Sequence, residues 1–171
     1  MILYGTIRYG RTMCHVPDLD LSFLLNQASY AFAARLAEAL AEANVTVRDY
    51  CVLWKAAEAE RSQAEIATLA GLDKTTMVVT LDRLEEAGLA ERRPSPTDRR
   101  ARVVGVTPAG RGVYERARVI VDRVTDETLH TLDRETRDGL VRGLTALAGE
   151  GGVLSTPSHV RPQRRKQVRP A

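Results

Sequence analysis

The chain has 171 residues, 44% of them hydrophobic and 27% charged, a balance that suits a soluble globular protein of one or two domains and excludes collagen-like, mucin-like and fully disordered classes. Its net charge of +3 comes from the end: residues 151–171 hold Arg161, Arg164, Arg165, Lys166 and Arg169 with no acid, and without them acidic side chains outnumber basic ones by two. A nucleic-acid reading must therefore rest on local clusters, and no run approaches the roughly 18–20 uncharged apolar residues of a membrane span.

Residues 1–17 read as a flexible lead segment, too short in its apolar opening and too broken by Gly5 and Arg8 for a signal peptide. Residues 1–12 lack helical periodicity and precede Met13, so a translation start at Met13 is an expectation. Cys14 and Cys51 are too few for a disulfide framework and match no zinc spacing with His15, His130 and His159. No metal or cofactor is expected, and a reducing, cytoplasmic setting follows.

Over residues 18–44, Leu21, Leu24, Leu25, Ala28, Phe32, Leu36 and Leu40 recur at spacings of three and four, the pattern of one long amphipathic helix. At about 26 residues it would be ~39 Å long, more than a small domain needs, so its apolar face has room for a second partner. Thr46 and Asp49 then signal the start of a second helix carrying Tyr50, Val52, Leu53, Trp54 and Ala57. Ser62-Gln63-Ala64-Glu65 is a full capping box for a short third helix that stops at Gly71.

Asp73 caps a fourth helix over 74–87, ended by Gly88, with Met77, Leu81 and Leu84 as its buried stripe. Two helices joined by a tight glycine turn have the layout of a helix-turn-helix. The first turn of the second, Lys74-Thr75-Thr76, offers donors where a helix N-terminus already favours phosphate and base edges. Residues 89–93 and 102–106 then predict a β-hairpin around a turn-rich tip, with Arg92, Arg93, Arg99, Arg100 and Arg102 set against only Glu91 and Asp98. Thr107-Pro108 opens a fifth helix with Val113, Ala117, Ile120, Val121 and Val124 as its stripe, and Asp133 caps a sixth with Leu140, Val141, Leu144 and Leu147. Residues 150–171 read as a disordered basic tail. Glycine-rich phosphate loops, metal-ligand spacings and nucleophile elbows do not occur, so no enzyme is expected.

This order of elements resembles the MarR (multiple antibiotic resistance regulator) family. The resemblance is carried by Leu84-Glu85-Glu86-Ala87-Gly88-Leu89 and Arg92, then Pro96-Thr97-Asp98-Arg99-Arg100, then Val106-Thr107-Pro108-Ala109-Gly110. It covers 18–149 and implies a mainly α fold with a small β-hairpin wing: a winged helix-turn-helix lobe over 46–106, flanked by dimerisation helices over 18–44 and 107–149. It also implies a homodimer, with Leu21, Leu24, Ile120, Val124, Leu140 and Leu144 at its interface, acting as a sequence-specific repressor of a nearby operon at a pseudo-palindromic operator in double-stranded DNA.

On that resemblance, Lys74, Thr75, Thr76, Val78 and Val79 face the major groove, although many relatives carry arginine near Val79. Arg83, Ser62 and Gln63 hold phosphates. Arg92, Arg93, Arg99 and Arg100 form a basic wing, with Asp98 orienting Arg100 and Arg99 or Arg100 entering the minor groove. A small aromatic or phenolic effector would release the DNA, lined by Phe23, Tyr30, Tyr50 and Trp54. Two other readings stand beside this one. A non-specific, nucleoid-type DNA binder would use the wing and tail electrostatically. A thiol-based redox sensor would use Cys14, since Ser22 stands where peroxide-sensing relatives have cysteine.

Overall fold

The computed structural model describes residues 20–95 and 102–148. The lead segment, the tail and the expected wing-tip residues Asp98, Arg99 and Arg100 lie outside the described residues. The elements run α1 (Leu21–Leu40), a short 3-10 turn (Ala41–Ala43), α2 (Val47–Glu58), β1 (Arg61–Ser62), α3 (Gln63–Leu69), α4 (Lys74–Glu86), β2 (Ala90–Pro94), β3 (Arg102–Val106), α5 (Pro108–Leu129) and α6 (Arg134–Ala148). The fold is mainly helical with a small antiparallel sheet, as expected for a winged helix.

Two features depart from the sequence expectation by more than a residue. The first helix stops at Leu40 because the chain tightens into the 3-10 turn and Asn44 then takes a left-handed conformation, φ 55°, which ends helical propagation. The hairpin is also not alone. Arg61 and Ser62 pair with Val104 and Val103, giving a three-stranded sheet in the order β1-β3-β2. A strand of two residues has no periodicity to read, so it was invisible beside the capping box that overlaps it.

The helix starts follow their caps. Asp20 accepts from the Phe23 N–H, Thr46 and Asp49 form a reciprocal box, and so do Ser62 and Glu65. Beneath them one core joins α2 (Val52, Leu53, Ala56), α3 (Ile66), α4 (Met77, Leu81, Leu84) and the sheet (Ala90, Val104). Fully burying a side chain of this size contributes about 1.5–3 kcal/mol, so the α4 stripe alone fixes that helix's rotation on the lobe. A second cluster, Leu40, Val45 and Ala117, is flanked by Tyr50, Val113, Ile120 and Val121 and joins the end of α1 to α5.

The outer helices are different. In α1 only Leu36 and Leu40 are buried, leaving Leu21, Phe23, Leu24 and Tyr30 in water, and α6 buries no residue at all. Val124, one of the residues that the resemblance places at a dimer interface, is only 4% exposed within the single chain. Ile120, another of them, packs on the second cluster.

The junction between α4, β2 and α5 is tight. Gly88, at φ 67°, ends α4 in the left-handed region, and its carbonyl accepts from the Thr107 hydroxyl at 2.7 Å. The Thr107 N–H donates to the Leu89 carbonyl at 3.1 Å. A Cβ on Gly110 would lie 1.9 Å from that same Leu89 oxygen, so α5 can start here only on glycine. Gly110→Ala should therefore lower stability by about 2 kcal/mol or more, read as a drop in the urea midpoint. An unchanged midpoint would show that this approach does not constrain the fold.

Candidate nucleic-acid interface

The helix-turn-helix pair is α3 and α4. Asp73 organises the start of α4: its Oδ1 accepts from the Thr76 N–H at 2.9 Å and its Oδ2 from the Thr76 hydroxyl at 2.6 Å. These bonds hold its carboxyl below the usual range. With Met77, Thr80, Leu81 and Leu84 turned inward, the outer face of α4 presents Lys74 and Thr75, with Val79 62% exposed and Val78 half-buried. Thr76 is not equivalent to Thr75, because its hydroxyl proton is committed to the cap.

The same distinction applies at α3. The Ser62 hydroxyl donates to Glu65 Oε2 at 2.7 Å and accepts from the Glu65 N–H at 3.3 Å, while the Ser62 N–H also donates to that carboxylate at 2.7 Å. The hydroxyl and backbone donors hold the Glu65 carboxyl low. Gln63 accepts from Arg92 Nε through Oε1 at 3.2 Å. Both residues expected at phosphates thus do structural work first.

The arginines divide likewise. Arg83 ion-pairs with Asp49 Oδ1 and donates to the Thr46 hydroxyl at 3.1 Å, tying α4 to the capped start of α2. Asp49 is only 4% exposed, and its other oxygen closes the Thr46 box at 2.8 Å. Arg92 reaches Asp82, Glu85 and Gln63, and Arg93 pairs with Glu60. Neighbouring strand residues point to opposite faces, which is why these two arginines find different acids. Arg102, the first residue of β3, is exposed and lies across from Pro94.

Of the aromatic residues expected to line an effector site, Tyr50 and Trp54 are brought together. Their rings stack at 6.1 Å, and Tyr114 of α5 also stacks with Tyr50, at 5.9 Å. Lys55 Nζ sits 3.5 Å from the Trp54 ring centroid. Burial, and then the neighbouring Tyr114 and Asp122, push the Tyr50 hydroxyl up to about 12, so it stays protonated and able to donate. Phe23 and Tyr30 are not in this stack; Tyr30 is 73% exposed on α1. Tyr114 was missed because Val113 and Ala117 define the α5 stripe, yet its position one turn before Ala117 puts it at the edge of that same face.

Removing Arg83 leaves a buried carboxylate without its cation. Arg83→Ala should lower stability by about 1–3 kcal/mol, and adding Asp49→Asn should recover part of that loss, both read by urea denaturation. An Arg83→Ala protein as stable as the parent would release Arg83 from this role.

A MarR family model matches residues 43–101. Among solved structures, the chain is similar to CouR, a transcriptional repressor bound to a 23-mer DNA duplex, with 32% identity, 73% of this chain and 89% of that chain covered, and a TM-score of 0.68. It is also similar to CouR from Rhodococcus jostii RHA1 bound to p-coumaroyl-CoA, at 27% identity, 83% and 96% coverage and a TM-score of 0.70. A Mycobacterium tuberculosis MarR family protein in complex with salicylic acid shares 25% identity, with 77% and 98% coverage and a TM-score of 0.66.

Proposed function

The chain belongs to the MarR family of DNA-binding, winged-helix transcription regulators, and from that premise we propose that it is a homodimeric repressor that leaves a pseudo-palindromic operator when a small aromatic molecule binds. The observation that carries this reading is the outer face of α4, where Lys74, Thr75 and Val79 stand clear of the core beside the β2–β3 hairpin. Thr75 can hydrogen-bond a base or phosphate, and Val79 can pack on thymine methyl groups. Lys74 supplies a phosphate contact, and Arg99 or Arg100 reaches a minor groove, where negative potential is concentrated.

The apolar residues of α1 and α6 support the dimer. Leu21, Phe23 and Leu24 on α1 and Leu140, Val141 and Leu144 on α6 are exposed in one chain, and helices gain stability when such faces are covered. A two-fold dimer sets two recognition helices about 34–36 Å apart, one in each of two successive major grooves. The effector reading rests on the Tyr50, Trp54 and Tyr114 stack, which offers ring faces and a protonated phenol to a flat ligand. CouR bound to p-coumaroyl-CoA and a relative bound to salicylic acid support that ligand class. Cys51 does not favour a thiol switch: burial pushes its thiol up against the opposing effect of Lys55, which disfavours the reactive thiolate.

The test is fluorescence anisotropy at fixed salt, on the duplex that the protein enriches from a random-sequence library. Arg100→Ala should weaken binding by about 1–3 kcal/mol, and Lys74→Ala should reduce the salt slope by about one unit. Salicylic acid or p-coumaroyl-CoA should raise the apparent Kd. Unchanged affinity in Arg100→Ala refutes the wing's role, no response to either ligand refutes the effector class, and failure to enrich any sequence leaves only non-specific DNA binding.

A further inference from the structure

Arg92 lies in the basic hairpin, yet its side chain is only 25% exposed and its guanidinium meets acceptors of the same chain. Nη2 meets Asp82 Oδ1 at 2.7 Å, Nη1 pairs with Glu85 Oε2, and Nε donates to Gln63 Oε1 at 3.2 Å. Its backbone N–H also donates to Glu85 Oε1 at 2.6 Å. Each nitrogen of the side chain therefore has an acceptor, and the acceptors come from α3 and α4. The sheet explains the direction. Arg92 pairs across β3 with Val104, which is almost completely buried under the helices, and directly opposed residues in a sheet share a face.

The geometry points to Arg92 as a positioning residue for DNA recognition: by binding Asp82, Glu85 and Gln63 at once, it sets the hairpin's distance and angle relative to α4, and so lets wing and recognition helix meet the same duplex in register. A guanidinium suits this because its planar fork of donors satisfies several fixed acceptors at once, whereas an ammonium acts as a compact point charge. The role follows from where the charge is spent. An arginine whose main task is a phosphate contact turns its donors toward DNA, while here three of the five guanidinium N–H donors, one on each nitrogen, already meet two carboxylates and an amide of the same chain. Asp82 lies one turn beyond Val78 on α4, so the clasp closes on the recognition helix itself.

The inference rests on the DNA-binding reading, and its test separates the two. Arg92→Ala, Arg92→Lys and Glu85→Ala are compared with the parent on the library-enriched duplex and on a scrambled duplex of equal length and composition, across a salt series. The ratio of the two affinities is taken on one sample, so a fraction of unfolded protein cancels. All three variants should lose about tenfold or more in that ratio, with the salt slope of the scrambled duplex unchanged. Glu85→Ala is the decisive arm. Removing a negative charge from a DNA-binding lobe ordinarily strengthens binding, whereas loss of the clasp weakens operator preference. The inference is overturned if Arg92→Ala weakens both duplexes equally and cuts the salt slope by about one unit, which is the behaviour of a phosphate contact. A preserved ratio in Arg92→Ala, or a preserved or increased ratio in Glu85→Ala, overturns it as well. If the parent enriches no duplex, the DNA-binding reading fails with it.

Discussion

Burial of Met77, Leu81 and Leu84 beneath α2, α3 and the sheet is the interaction on which the rest of the structure depends. It chooses which side of α4 meets water. Once those side chains are inside, Lys74, Thr75 and Val79 must be outside, and Asp82 and Arg83 must flank the lobe's other elements. The proposed recognition surface is thus a by-product of the core, and its rotation is held by several kcal/mol of apolar burial.

Polar contacts then fix what burial leaves free. The caps at Ser62 and Asp73 set where α3 and α4 begin, and Gly88, Thr107 and Gly110 fasten the end of α4 to the start of α5. Arg83 and Arg92 spend their charge on internal carboxylates, so they brace α4 from two sides. What remains for a partner's phosphates is a smaller set than the count of arginines suggests. That economy fits the proposed sequence-specific role, because indiscriminate positive charge would favour binding in any pose.

Much of this was legible in the sequence. The caps at Thr46, Ser62, Asp73 and Thr107, the stops at Gly71 and Gly88, and the α4 stripe each depend on residues a few positions apart, where local chemistry decides. The winged-helix architecture follows from their order. What was not legible depends on residues far apart in the chain. Arg92 read as a free basic residue because its partners Asp82 and Gln63 are brought to it only by the sheet. The Arg83 pairing with Asp49 was hidden because nothing near Arg83 in the chain names that carboxylate. Val124 is nearly buried in the single chain, which periodicity could not tell, since it identifies an apolar face without saying what covers it. Ser62 illustrates a conflict within local rules: the same hydroxyl that caps a helix cannot also be assumed free for DNA.

In the proposed complex, two copies present α4 and the hairpin to one duplex in a fixed register. Hydroxyl-radical footprinting of the full chain on the duplex it enriches tests this most directly. Two symmetric zones of protection are expected, centred about 10–10.5 base pairs apart, one helical turn, with flanking protection where the hairpins reach the minor groove. A single zone, or uniform protection that does not depend on sequence, would contradict it.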